Sequence, residues 1–211
     1  MLDLQDLLIK TAALHDHLCP RQVLGVRTGL LAARLFEFDL PQSGRRLFAF
    51  VETDGCYSDG VSVSTGCWLG HRTLRLVDYG KVACTLVDTH TGKALRIIPH
   101  PGARATALLR ARDAGDAWHA QLEAYQTMLD DELLQAQPVQ LTASLQSIIS
   151  RPGLRVQCAT CGEEIMNERE VLCDGQALCR RCAGMDSYYC AEAEAPLDLQ
   201  GVRASRREIG E

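Results

Sequence analysis

Two CxxC pairs, Cys158/Cys161 and Cys179/Cys182, stand 17 residues apart near the C-terminus, and no other feature restricts the folding of this chain as tightly. A CxxC turn brings two sulfurs to one point while its backbone amides face their charge, and zinc takes four such soft donors as a tetrahedron. Two pairs at this separation fit a structural zinc site. Between them Asp174-Gly175 is flanked by short apolar runs, as in a hairpin, and Arg180 onward reads as the start of a short helix, a treble-clef-like order. Four thiolates leave no open coordination position. This zinc, one per chain, would therefore supply folding energy and shape without catalysis. Cys173 and Cys190 read as bystanders.

The remaining cysteines of the ten sit singly, so metal ligation accounts for the pattern better than an exported disulfide framework does. The opening MLDLQDLLIK places Asp3 and Asp6 where an export signal needs positive charge, and no run of about 18 uncharged apolar residues occurs. The sequence thus predicts a soluble, cytoplasmic protein with no membrane partner. A net charge of −5 gives no broad phosphate-binding face, so nucleic acid is not an expected partner.

With 46% hydrophobic content, 211 residues can bury one sizeable core and carry a small appended module. Leu4, Leu7, Leu8 and Ala12 recur at helical spacing over residues 2–14. Pro20 suits the first position of a second helix running to about Phe38, on which Gly25, Gly29 and Ala33 form a smooth stripe for close packing. The segment 45–53 reads as a buried strand, and YSDGVSVSTGCWLG as a helix of open length whose Val, Ser and Thr content also suits a strand. Thr73–Val77, Val82–Asp88 and Ala94–Ile98, separated by turn-like stretches, predict an antiparallel meander. Residues 103–135 are helical in composition with a break near Gly115, a short strand is expected after Pro138, and Arg151-Pro152-Gly153 marks a hinge. These boundaries give a core domain over 1–150, a finger over 154–190 and a charged, mobile tail over 191–211.

Between the first two helices lies His15-Asp16-His17-Leu18-Cys19-Pro20. In an extended loop, residues two apart point the same way, so His15, His17 and Cys19 could converge on one ion, whereas in a helix only His15 and Cys19 share a face. Cys19 also precedes Pro20 at a helix N-cap, where unpaired amides and the helix dipole favour negative charge on sulfur. Cys56, on a loop after a strand, could add a fourth donor, with Asp54 as outer partner or general base. Cys67 and Cys84 lie in apolar segments and read as small buried hydrophobes.

The succession HDHLCPRQVLGVRTGLLA, VETDGCYSDGVSVSTGC, DYGK and TGKALRI resembles the FmdE family, named for a component of formylmethanofuran dehydrogenase, over roughly residues 10–100. The resemblance implies an α+β core with a mixed five-stranded sheet flanked by helices, frequent homodimers, an appended treble-clef zinc finger, and a metal-binding active site in the core. Carried over by motif position, that site falls on His15, His17, Cys19 and Cys56. Lys81 and Lys93 match two further motifs, and Arg21 stands where the family commonly has glycine.

The chain has no C-x2-C-x2-C iron–sulfur run, so it is not itself a molybdenum or tungsten catalytic subunit. The first reading is a metal-binding accessory factor or small enzyme, with a second metal, again zinc, at His17, Cys19 and Cys56 polarising water or a small substrate. In it Cys19, His17 and Asp54 carry the chemistry. The alternative is a regulator or a thiol or metal carrier, with Cys19 as nucleophile and the finger binding a protein partner. The spacing of the CxxC pairs also resembles the finger of DksA/TraR-type RNA polymerase regulators, but no sustained heptad precedes it here.

Overall fold

The computed structural model describes residues 3–149, 151–185 and 187–190, so the expected mobile tail at 191–211 lies outside the described residues. The chain divides into two compact units, Met1–Ile149 and Ser150–Glu211.

The first unit opens with α1 (Leu4–Ala12), capped by the Asp3 carboxylate on the Asp6 amide. A loop leads to α2 (Pro20–Phe36), which ends on Glu37 in the left-handed conformation (φ 57°), slightly before the expected Phe38. Strand β1 (Leu47–Val51) follows, and then α3 (Cys56–Thr65). The ambiguous YSDGVSVST segment is therefore helical. Gly55 and Gly66, at φ 72° and 74°, bracket α3, and burial of Tyr57 and Val61 overrides the weak propensity of its β-branched residues.

Three strands come next, β2 (Leu74–Leu76), β3 (Cys84–Asp88) and β4 (Ala94–Pro99). Helices α4 (Ala103–Arg110), α5 (Ala117–Thr127) and α6 (Asp130–Leu133) precede β5 (Leu134–Val139), and α7 (Leu145–Ile149) closes the unit. The sheet order is β2-β1-β3-β4-β5. Only β1 and β2 run parallel; every other neighbour is antiparallel.

The expected meander of three strands is thus corrected at β2. It lies beside β1, Ala49 opposite Leu74, while β3 pairs with the other edge of β1. A parallel pair needs a crossover, and α3 supplies it. The Asp78–Lys81 stretch is then no hairpin turn but a link across the end of β1, where the Glu52 carbonyl accepts from the amides of Tyr79 (3.0 Å) and Lys81 (3.1 Å).

Alternate residues of the strands divide the two faces. Leu47, Ala49, Val51, Cys84, Leu86, Leu95 and Ile97 join the helices in one apolar core. The second face carries Phe50, Thr85 and Arg96. Arg96 binds the buried Glu52 carboxylate through two contacts of 2.7 Å and helps to line a cavity of about 300 Å³ with Tyr79 and Ile148.

The glycine stripe of α2 receives α3. A Cβ on Gly25 would lie 2.3 Å from the Tyr57 carbonyl oxygen, and one on Gly60 would lie 2.5 Å from that of Gln22. Residue 22 meets 60, 25 meets 57 to 61, and 29 meets 64, so the two helices run the same way and start at the same end. Arg27, 8% exposed, fastens α2 to the end of α5, donating to the carbonyls of Tyr125 (2.8 Å) and Met128 (2.6 Å) and to Asp130.

The second unit contains two hairpins, β6 (Arg155–Gln157) with β7 (Glu164–Met166), and β8 (Val171–Cys173) with β9 (Gln176–Leu178). The Asp174-Gly175 turn has both φ angles positive (50° and 79°), as a two-residue hairpin requires. The short helix expected from Arg180 is a single turn instead. The amides of Ala183 and Met185 bond back to Cys179 and Arg180, and Gly184 at φ 76° stops it. Among the described residues, no helix is long and apolar enough to cross a membrane.

Candidate metal centre and helix-end thiols

The two CxxC pairs occupy equivalent places in the finger. Cys158 follows β6 and Cys179 follows β9, and each is succeeded by a tight turn that swings the second cysteine back toward the first. In the first turn the Gly162 amide closes onto the Cys158 carbonyl at 2.9 Å. All four sulfurs lie within 4.8 Å of one another, with Cys161 and Cys179 4.0 Å apart. A zinc–sulfur bond of about 2.3 Å puts tetrahedral sulfurs about 3.8 Å apart, so the cluster needs only a slight contraction to hold an ion.

Its electrostatics point the same way. The Cys161 and Cys179 amides, directed at the Cys158 sulfur, lower that thiol to about 6, while hydrogen bonding to Cys179 and burial push Cys182 up to about 12. One thiolate is well solvated by backbone; a second beside it meets like charge. A divalent cation removes that conflict, and the cluster can hold a metal ion, consistent with zinc.

The N-terminal candidates are distributed differently. The 13–19 segment is a loop, closed by Gln22, whose fully buried amide accepts from the Cys19 N–H at 2.7 Å and donates to the Thr11 carbonyl at 3.1 Å. Cys19 is the N-cap of α2 and Cys56 the first residue of α3. Because those helices cross in parallel, the two thiols meet and hydrogen-bond. Burial and the Cys19 thiol both raise Cys56 above its usual value. Cys19 is buried and Cys56 half-buried.

His15 does not join this pair. Its Nε2 lies 2.6 Å from the Asp59 carboxylate on α3, and its ring is 6.2 Å from that of His17, which is exposed. Among the described residues the finger cysteines are the group of three or more His, Cys, Asp or Glu that gathers its ligand atoms, so His15, His17, Cys19 and Cys56 do not converge in this structure. They form a thiol pair beside a histidine–carboxylate pair.

Asp59 is the residue that sequence reasoning passed over. It stands three after Cys56, on the same face once the segment is helical, but that signal depends on knowing the segment is a helix. Asp54 is exposed on the preceding loop, and Arg21 is exposed on the first turn of α2. Lys93 donates to the Leu35 carbonyl at 2.7 Å and so caps the end of α2. Lys81 is exposed, with its ammonium 5.9 Å from the Tyr79 ring. Cys67 and Cys84 are fully buried, and burial pushes the Cys67 thiol up to about 11.

A mixed sheet packed under two parallel-crossing helices, together with a separate four-cysteine cluster, defines an α+β protein equipped to hold a metal ion. The chain belongs to the FmdE family: the model described as "FmdE, Molybdenum formylmethanofuran dehydrogenase operon" matches residues 14–148. An FmdE-like protein of tungsten formylmethanofuran dehydrogenase from Syntrophus aciditrophicus shares the fold, with a TM-score of 0.57 at 22% identity over 87% of this chain and 93% of that one. A protein of Archaeoglobus fulgidus named "Probable S-adenosyl-L-methionine-binding protein" is 28% identical over 92% of this chain, which spans 57% of that relative's length.

Proposed function

We propose that this protein is a metal-binding accessory factor or small metal-dependent enzyme, with a structural zinc in the finger and a second, exchangeable zinc where α2 and α3 begin. The observation that carries the reading is the meeting of Cys19 and Cys56 at two helix N-termini, with His15 held by Asp59 beside them. Soft thiol donors suit zinc, and helix-end amides stabilise them as thiolates.

His17 is exposed on the same loop as His15, so a turn of the loop would bring its ring toward the sulfurs. Three protein donors would leave one position for water or a small substrate, and the ion would supply Lewis acidity there. Asp59 would fix the tautomer and direction of His15, as carboxylates do behind metal-binding histidines. Asp54, exposed just ahead of Cys56, would exchange protons with solvent. The same reading takes the protein as a cytoplasmic homodimer whose finger binds a protein partner. S-adenosyl-L-methionine is not part of the proposal, because this chain spans only 57% of the Archaeoglobus relative's length.

Elemental analysis tests it. Two zinc per chain are expected in the wild type and one in a His17→Ala, Cys19→Ala double variant; a wild type holding a single zinc refutes the second site.

A further inference from the structure

Parallel packing of α2 on α3, enforced where Gly25 and Gly60 let the backbones touch, brings the N-terminal ends of both helices together with one cysteine at each. We propose that Cys19 and Cys56 act as a dithiol that closes to a reversible intrachain disulfide by exchange with a small-molecule disulfide. These are the sulfurs of the proposed second metal site, but closure requires no metal there.

The two thiols are unequal in a way that assigns their order. Cys56 is half-buried and reachable from solvent, whereas Cys19 is 7% exposed and reachable mainly through Cys56. Gln22 and the Gly25–Gly60 crossing hold the two helix ends in place, so closure would cost little ordering entropy. Cys67 and Cys84 are fully buried, which leaves Cys19 and Cys56 as the thiol pair for this chemistry among the described cysteines of the first unit.

The exchange runs in two steps. The Cys56 sulfur, giving up its proton, attacks one sulfur of the small disulfide; that S–S bond breaks, and the departing thiolate takes the proton. Cys19 then attacks the Cys56 sulfur of the mixed disulfide, loses its own proton to the second departing thiolate, and the protein S–S bond forms. Two protein thiols have given two electrons to one small disulfide, which leaves as two thiols. A closed disulfide and a metal bound through the same two sulfurs exclude each other, so oxidation would empty the second site.

The test equilibrates the full-length protein with oxidised glutathione, blocks free thiols and maps the cysteines by peptide mass spectrometry, with zinc measured on the reduced sample. In the wild type a Cys19–Cys56 linked peptide is expected, two hydrogens lighter than its parts and cleaved by dithiothreitol. In Cys19→Ser the reaction should stall, with glutathione attached to Cys56. In Cys56→Ser, Cys19 should lose its reactivity. Wild-type protein whose Cys19 and Cys56 remain separately alkylated, or carry glutathione without the link, overturns the proposal. The wild-type result needs no variant to fold. A linked peptide with one zinc per chain upholds the dithiol and removes the second metal site, and the reverse pairing does the opposite.

Discussion

Replacing Gly25 by alanine tests the geometry on which both proposals stand. The new Cβ would sit 2.3 Å from the Tyr57 carbonyl oxygen and 2.9 Å from the Gly60 Cα, both backbone atoms on α3. Real Cβ atoms do not approach within 3.0 Å of a neighbour, so α2 and α3 must part by about 0.7 Å or more, an overpacking strain of about 3 kcal/mol. Alanine returns about 1 kcal/mol of helix propensity. The net loss, about 2 kcal/mol, corresponds to a Tm lower by about 4–8 °C in a unit of this size. Thermal unfolding followed by circular dichroism measures it, with Gly44→Ala as the control, since a Cβ there meets nothing within 4 Å. Parting the helices also separates Cys19 from Cys56, so glutathione-driven linkage should fall with the Tm. An unchanged or raised Tm, with the control also unchanged, refutes the close crossing.

Arg27→Met should cost about 3 kcal/mol in urea unfolding, because it leaves the carbonyls of Tyr125 and Met128 without their buried donor; a change under about 1 kcal/mol would contradict the assigned role. Asp88 is raised by burial, but hydrogen bonds from Arg46, the His90 amide and Thr91 outweigh this and hold it at about 2. Its stabilisation is therefore present above the unfolded value near about 4 and disappears as pH falls through about 2, so Asp88→Asn should destabilise at about pH 7 and flatten the pH dependence between about 4 and 2. Equal losses at neutral pH and at about pH 2 would contradict this. Chelation, or Cys158→Ser, should collapse the amide dispersion of residues 155–185 in a nitrogen–proton spectrum while residues 4–149 keep theirs; an intact finger spectrum after metal removal would show that zinc does not hold it.

The finger was legible because its information is local. A CxxC turn spans so few bonds that both sulfurs must lie close together, and the Asp174-Gly175 turn brings the second pair back along the hairpin. Helix α2 was legible from Pro20 and its periodicity, and β1 from its apolar run. Gly25 and Gly29 announced that a backbone would pack there, without saying which.

Tertiary structure decided the rest. The place of β2 depended on a crossover rather than on the turn that follows it, because strand order is set by which edges are open when the helices cover the core. The loop motif likewise named His15, His17 and Cys19 as neighbours in sequence, yet each went to a partner supplied by α3 or to solvent: His15 to Asp59, Cys19 to Cys56, His17 to the surface. Lys93 became the cap of a helix far from it in the chain. Spacing fixes which donors can meet only when few bonds separate them; between Cys19 and Cys56 the meeting depends on two glycines that let one helix rest on another.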